Sequence, residues 1–507
     1  MNVCDRESPF ARIERLTMEI TSSNIEAMHS GLNRGSMWAL ASHGGSQVLR
    51  LGGNLILWRL LYPEAFGLMA LVNVFMQGLA MFSDVGIAPS IIQSERGDDP
   101  DYLNTAWTIQ VLRGFILCAV AFVTAVPLAH FYHEPQLSFL IPIVAMGAVV
   151  AGFNSTRLVT ATRHIYLGRL TILDLSSQIF GLAAMIGLCA IYRSVWALAV
   201  GGLVSAAIRA VLSHTFMAGI KNRLRWDRSS AHALLRFGRW IFISTLLGFA
   251  VMQSDRLIFG KLIPMSLLGV YSIALVWSSF PISILERIFN SVLFPLLSRL
   301  YREGGDFSAT FISIRRPWLF LIGWASACLI GGGPTLIHLM YDQRAAAGGW
   351  MIQVLACSTW LLALETANST ALLAMGKPSW VAAGSGAKLA GMLILIPLGM
   401  INYGFPGALV GFAGSEFIRY LVSVIGARTM KISGLLQDML LSALVMATAS
   451  IGLACEIRFA SFLTMLPFHQ PRILAFFNLV CLAFVVGLGW GGCYAVQWLV
   501  QKRNARA

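Results

Sequence analysis

SHGGSQVLRLGGNLILWRLLYPEAFGLMALVNVFMQGLAMF, residues 42–82, holds two apolar runs separated by the short turn 62–65. A hydrocarbon core is crossed by about 20 predominantly apolar residues, so each run reads as one crossing and the turn as a reversal at one membrane face. The first run is not uniformly apolar. His43, Gln47, Arg50 and Asn54 recur at i, i+4, i+7 and i+11 and share an arc of about 60° on a helix. A stripe of that kind does not face lipid. It faces a hydrated cavity or other helices, and interhelical hydrogen bonding explains a stripe containing arginine less well than a cavity does.

Outward from this stretch the pattern repeats. Of 507 residues, 57% are hydrophobic and 12% charged, and the mean hydropathy is +0.71. A soluble domain carries about 25% charged residues. The chain is therefore read as an all-α polytopic membrane protein with about 14 transmembrane helices. The crossings fall near 36–61, 66–93, 103–130, 137–158, 167–191, 195–217, 237–260, 267–290, 316–340, 349–374, 378–400, 405–427, 436–455 and 474–500.

The net charge of +14 follows the membrane pattern rather than that of a nucleic-acid binder, because Lys and Arg gather at the ends of apolar runs. Arg157, Arg163 and Arg169 mark one inner loop; Lys221, Arg223, Arg225, Arg228, Arg236 and Arg239 mark another; Lys502, Arg503 and Arg506 end the chain. By the positive-inside rule both termini are cytoplasmic. Residues 1–34 lack the apolar core of a cleavable signal peptide and read as a weakly ordered tail. Six of the eight cysteines lie inside apolar runs and no C-x-x-C pair occurs, so neither a zinc site nor a disulfide framework is expected, and no cofactor is implied.

The connection 219–236 divides the chain into an N-terminal lobe at 35–218 and a C-terminal lobe at 237–432, leaving 433–507 as two further crossings with a basic tail. A short internal repeat agrees with that division. Setting Pro63 on Pro264 places Leu61 on Leu262 and Asn54 on Asp255, and Gly67 meets Gly269 after one inserted residue. Transporters are commonly built from such repeats.

Charged groups within crossings cost about 2.5–3.5 kcal/mol each and are functional candidates by default. Gln110 and Arg113, one turn apart on the third crossing, join the stripe as candidate cavity residues. The planar fork of arginine suits a phosphate, so Arg50 and Arg113 are candidates to hold an anionic head group; the alternative is pairing with Asp84 or Asp174. Asp84, Asp174, Asp255 and Glu365 are candidates for carrying a coupling proton. Glu416 and Arg419, one turn apart, are expected to neutralise each other, Asp255 and Arg256 form a second candidate pair, and Lys388 has no evident partner in sequence.

FGLMALVNVFMQGLAMFSDVGIAPSIIQ (residues 66–93), LLRFGRWIFIS (234–244), DRLIFGKLIPMSLLGVYSIA (255–274) and SVLFPLLSRL (291–300) together resemble the polysaccharide-transporter family, the Wzx-type branch of the MOP exporter superfamily. The similarity runs in order from about residue 35 to residue 432. The resemblance implies two six-helix lobes around a central cavity, C-terminal additions, and alternating access. It implies a polyprenyl-pyrophosphate-linked oligosaccharide as cargo in the inner membrane, for surface or exopolysaccharide biosynthesis, with a polysaccharide polymerase and assembly proteins as partners. It carries no catalytic motif. Two neighbours within the superfamily are alternatives: a lipid II-type flippase, and a MATE-like cation/drug antiporter, against which the basic stripe argues. A membrane glycosyltransferase or polymerase is a remote alternative, because such an enzyme needs acids in a sizeable outer loop, and the longest one here, 458–471, has no carboxylate.

Overall fold

The computed structural model describes residues 44–463, except 84–85, 165, 290–292, 304–306 and 433, and in addition Gly487 and Trp490; at 167, 233, 235–247, 288, 303, 455–457 and 459–463 it describes backbone alone. The N-terminal tail, His43, Asp84 and, apart from Gly487 and Trp490, the crossing read at 474–500 lie outside the described residues.

All regular structure among the described residues is helical. The helices are α1 (residues 44–60), α2 (Pro63–Phe82), α3 (Ile87–Gln93), α4 (Pro100–Tyr132), α5 (Leu137–Gly152), α6 (Arg157–Arg163), α7 (Leu167–Tyr192), α8 (Trp196–Thr215), α9 (Arg228–Leu262), α10 (Met265–Ile288), α11 (Phe294–Glu303), α12 (Phe307–Met340), α13 (Gly348–Ala374), α14 (Pro378–Thr429) and α15 (Leu435–Leu463). Nine of them are long and apolar enough to cross a membrane. With the hairpin in α14 described below, this is a multi-pass membrane architecture.

Several elements differ from the crossings read in the sequence, each for a local reason. The run 66–93 is two helices: α2 stops at Phe82 and α3 begins at Ile87, with Pro89, which has no N–H to donate, in its first turn. The run 137–158 bends by 62° between α5 and α6. At the bend the amides leave the helical ladder for side chains, Ser155 N donating to Ser213 Oγ (2.9 Å) and Thr156 N to Asn222 Oδ1 (3.2 Å). α12 begins at Phe307, so Arg315 lies inside a helix rather than in a loop. At 52 residues α14 would be about 78 Å long if straight, more than twice a bilayer core. Gly404, at φ 64° and ψ −152°, folds it into an antiparallel hairpin; a methyl group on Gly399 would lie 2.1 Å from Gly407 O.

The chain forms two compact units. In the first (residues up to 53, and 79–245), the α4–α5 and α7–α8 hairpins are joined by packing of α5 on α8, and the short helices α3 and α6 pack together. α4 is capped by Asp99, whose side chain accepts from Asp101 N, with Pro100 at the first helical position.

In the second unit (54–78, and 246 onward), α13 packs on α10, α12 and α14, and α15 packs on α12. Phe289, Phe311, Leu319, Leu364 and Ala367 are at the centre of its core. The helix starts aligned by the internal repeat meet each other reciprocally. A methyl group on Gly67 would lie 2.1 Å from Met265 O, and one on Gly269 would lie 2.0 Å from Pro63 O, so only glycine admits this approach.

Candidate functional site

α1 carries what is described of the polar stripe. Its packing face is narrow: methyl groups on Gly45 and Gly53 would strike Leu175 and Leu182 of α7, and Gln178 Nε2 donates to Ser46 Oγ at 3.0 Å. Arg50 lies about 60° around the helix from Gly53. Gln47 is buried, Arg50 is exposed and Asn54 is half-buried. Gln47 and Arg50 belong to the first unit and Asn54 to the second.

The other candidates of the first unit have defined partners. Gln110 Nε2 donates to the carbonyls of Gly152 (3.0 Å), Asn154 (3.0 Å) and Ala151 (3.3 Å), at and just beyond the end of α5. Arg113 Nε donates to Ser83 Oγ at 2.8 Å and its Nη2 to Ala80 O, at the end of α2. Asp174 pairs with Arg209 of α8 at 3.1 Å, with both side chains about a third or more exposed.

The second unit holds the most deeply buried charges. Glu365 of α13 accepts from Ser369 Oγ, and its other carboxylate oxygen meets Arg419 Nη2 at 3.1 Å. Lys388 Nζ pairs with Glu416 across the α14 hairpin and lies 5.5 Å from the centre of the Phe412 ring. Glu286 of α10 lies within electrostatic range of Arg419. Glu416 Oε2 and Arg419 Nε, both buried, have no hydrogen-bond partner among the described residues. The pairing therefore differs from the sequence reading: Glu416 takes Lys388 and Arg419 takes Glu365, where an i, i+3 pair of Glu416 with Arg419 was expected. Asp255, 4% exposed, accepts from Tyr271 Oη at 2.5 Å, whereas Arg256 turns to Gln253 Oε1 at 2.7 Å, so these two neighbours do not pair with each other.

Sequence reasoning missed a second buried network. Arg315, fully buried, directs Nε to Gln437 Oε1 (2.8 Å), Nη1 to Asn368 Oδ1 (3.1 Å) and Nη2 to Gly434 O (2.8 Å), and stands 2.7 Å from Asp438 Oδ1. Tyr420 Oη donates to Asp438 Oδ2 at 3.0 Å. The hairpin did offer a signal for the first network. A turn at 402–404 sets residues whose numbers sum to about 805 opposite each other, which brings Lys388 to Glu416.

Membrane-length helices with charged groups buried among them define a polytopic membrane protein, and its fold has known counterparts. The chain superposes on the lipid II flippase MurJ in an inward closed conformation with a TM-score of 0.69, at 11% identity over 91% of this chain and 99% of that one. It superposes on an inward-facing multidrug resistance MATE family transporter of the MOP superfamily with a TM-score of 0.60, at 15% identity over 77% of this chain and 96% of that one. The chain belongs to the polysaccharide biosynthesis protein family, whose model matches residues 56–344. Among its relatives are the lipopolysaccharide biosynthesis protein WzxC of Escherichia coli K12 (22% identical over 51% of this chain and 53% of the relative) and the succinoglycan biosynthesis transport protein ExoT of Rhizobium meliloti (22%, over 52% and 53%). Teichuronic acid biosynthesis protein TuaB of Bacillus subtilis is 21% identical over 58% of this chain and 61% of its own length. The chain thus matches a little over half the length of these relatives.

Proposed function

We propose that this protein is a transporter, not an enzyme, that moves a polyprenyl-pyrophosphate-linked oligosaccharide from the cytoplasmic to the outer leaflet of the inner membrane by alternating access. The observation that carries the reading is the family match over 56–344, whose relatives include a named polysaccharide transport protein. The fold supports it, since flippases and antiporters share it. Between those two, the basic stripe favours an anionic cargo. In this reading 35–218 and 237–432 act as lobes joined by 219–236, both termini are cytoplasmic, and a polymerase and assembly proteins receive the product.

His43, Gln47, Arg50 and Asn54, with Gln110 and Arg113, are proposed to line the cargo path, with Arg50 meeting the pyrophosphate. Asp84, Asp174, Asp255 and Glu365 are the proposed coupling acids. Glu365 is favoured by its burial beside Arg419 and the Lys388–Glu416 pair.

The test is transfer of a polyprenyl-pyrophosphate-linked oligosaccharide across proteoliposomes, read by access of an impermeant reagent. A hydrogen bond to a charged group is worth about 1.5–3 kcal/mol, so Arg50→Ala is expected to weaken cargo binding roughly ten- to hundredfold. Lysine restores part, keeping charge without the fork. Uptake of organic cations without lipid transfer would favour the antiporter; sugar transfer onto a lipid acceptor would overturn the transporter reading. A stable Arg50→Ala protein with undiminished binding removes Arg50 from the path.

A further inference from the structure

Between α8 and α9 residues 220–227 form no helix or strand, and this segment is held by side chains rather than by a sheet. Arg223 N donates to Asn104 Oδ1 (2.8 Å), Arg225 N to Thr108 Oγ1 (3.0 Å) and Asp227 N to Thr105 Oγ1 (3.0 Å), all on the first turns of α4. Its two ends are also fixed. Asn222 receives Ser155 Oγ (2.6 Å) and donates to Thr156 Oγ1 (2.7 Å), and Asp227 caps α9 by accepting from Ser230 N at 2.9 Å. The Asp227 carboxyl also takes the hydroxyls of Ser229 and Ser230, which hold it well below the usual carboxylate range.

Amides two residues apart that face one helix mean a pleated backbone, whose side chains alternate between two faces. Arg223 and Arg225 share one face. Arg225 reaches back toward the polar start of α4, pairing with Asp101 at 2.6 Å. Leu224 and Trp226 share the other face. Despite the fixed backbone they are uncovered by protein, at 69% and 55% exposure. The strap lies against Asn104–Thr108, where α4 passes from its polar first turn into its apolar run. That is the depth at which tryptophan and apolar side chains enter the interface of a bilayer while cations stay at the head groups. Lys221, Arg223 and Arg228 are exposed along the same strap.

We propose that residues 221–228 are an interfacial anchor that inserts Leu224 and Trp226 into one leaflet and binds anionic phospholipid head groups through Lys221, Arg223 and Arg228. The proposal rests on the chain being a multi-pass membrane protein and is independent of the cargo assigned to it. Its role follows from its position. The strap ties the start of α9 to α4, so holding it in the interface fixes the height of both helix ends in the bilayer.

The test uses the full chain, with its eight native cysteines replaced, in vesicles of phosphatidylethanolamine and phosphatidylglycerol. Single spin labels at 223, 224, 226 and 228 are read for accessibility to oxygen and to a water-soluble nickel chelate. Labels at 224 and 226 are expected to be reached by oxygen and shielded from nickel, with 223 and 228 reached by nickel. The substitutions leave the three anchoring amides intact, so the fold is retained. Nickel access at 224 and 226 equal to that at 223, which an empty docking surface for a cytosolic protein would give, overturns the anchor. A second arm counts phosphatidylglycerol retained on the purified protein by native mass spectrometry. A cation near an anionic surface contributes roughly fivefold in affinity. Lys221→Glu with Arg223→Glu is thus expected to cut retention by at least about fivefold, while phosphatidylcholine retention is unchanged. Unchanged phosphatidylglycerol retention, or equal loss of both lipids, overturns the head-group part. Depth is read without reference to membrane side, so a failure of the proposed orientation would leave this result distinguishable.

Discussion

Two buried ion networks in the second unit use the same residue types and close differently. Around Arg315, each arm of the guanidinium has its own neutral acceptor, and Asp438 adds the counter-charge at 2.7 Å. The ring of Phe311 lies 4.7 Å away against the guanidinium. Around Arg419 the carboxylates and cations are split over α13 and both arms of α14, and three buried atoms, Glu365 Oε2, Glu416 Oε2 and Arg419 Nε, lack hydrogen bonds among the described residues, against Asp438 Oδ1 alone around Arg315, where the ion pair at 2.7 Å covers it. A closed network has one arrangement. An open one has polar atoms whose pairing changes at low cost, which is what a group that gains and loses a proton requires. The contrast sets a structural lock apart from the proposed coupling site inside one bundle.

The largest effect expected is on the lock. Breaking a buried pair by removing one partner leaves an unpaired charge and costs about 3–5 kcal/mol. Arg315→Ala and Asp438→Ala are each expected to abolish accumulation of folded protein or lower its thermal unfolding temperature in detergent steeply. The double substitution Arg315→Met with Asp438→Leu, which removes both charges, should recover much of that loss. If Arg315→Ala unfolds at the same temperature as the parent, the network is not a lock and the comparison fails.

The two networks were unequally legible in the sequence. The crossings themselves were readable because each needs a continuous apolar run, and α4, α7, α8, α13 and both arms of α14 lie close to where those runs predicted them. Lys388 had no visible partner because Glu416 lies beyond the hairpin; only the turn register reveals it. Arg315 was hidden for a different reason. It follows a stretch that resembles an inner loop, and its counter-charge Asp438 lies four crossings further on, a pairing that only tertiary packing creates. The α5–α6 bend was equally unreadable, since the amides of Ser155 and Thr156 are taken by Ser213 and Asn222 more than fifty residues away. The polar stripe of α1 needed only helical periodicity, and the described part of it, Gln47–Arg50–Asn54, falls on one helix as read.

The open network should invert the first result. Glu416→Gln removes one carboxylate, but Glu365 remains within electrostatic range of Lys388. The expected loss of stability is therefore nearer the roughly 1–3 kcal/mol of an unsatisfied polar group than that of an orphaned ion. Transport is expected to fall more, at least about tenfold by analogy with a lost charged hydrogen bond, with Glu365→Gln behaving alike. The two measurements are thermal unfolding and proteoliposome transfer on the same preparations. A variant that loses stability in proportion to transport would place this network with the first one.

A third ion pair in the same unit, at the edge of the bundle, calibrates both. Arg344 and Asp342 pair at 2.6 Å in the connection between α12 and α13, with side chains 36% and 38% exposed. Arg344 also donates to Trp58 O (3.1 Å), in the last turn of α1, and to Leu61 O (3.0 Å), just past its end, and Trp58 Nε1 donates to Asp342 Oδ1 at 3.2 Å. Partial burial by itself would raise the Asp342 carboxyl, but the hydrogen bonds from Arg344 and Trp58 outweigh it and hold the carboxyl below its ordinary range. A depressed carboxyl stabilises the fold above its unfolded-state value and loses that contribution as pH falls through its folded value. Solvent screens a pair this exposed, so Arg344→Ala is expected to cost no more than about 1 kcal/mol. The parent should unfold more easily at about pH 3 than at about pH 6, and part of that difference should vanish in Asp342→Asn. The carboxylates buried elsewhere in the bundle contribute to both proteins and cancel in the comparison. An acid sensitivity identical in parent and Asp342→Asn would show that this pair adds nothing, and that burial, not pairing, sets the scale of the other two.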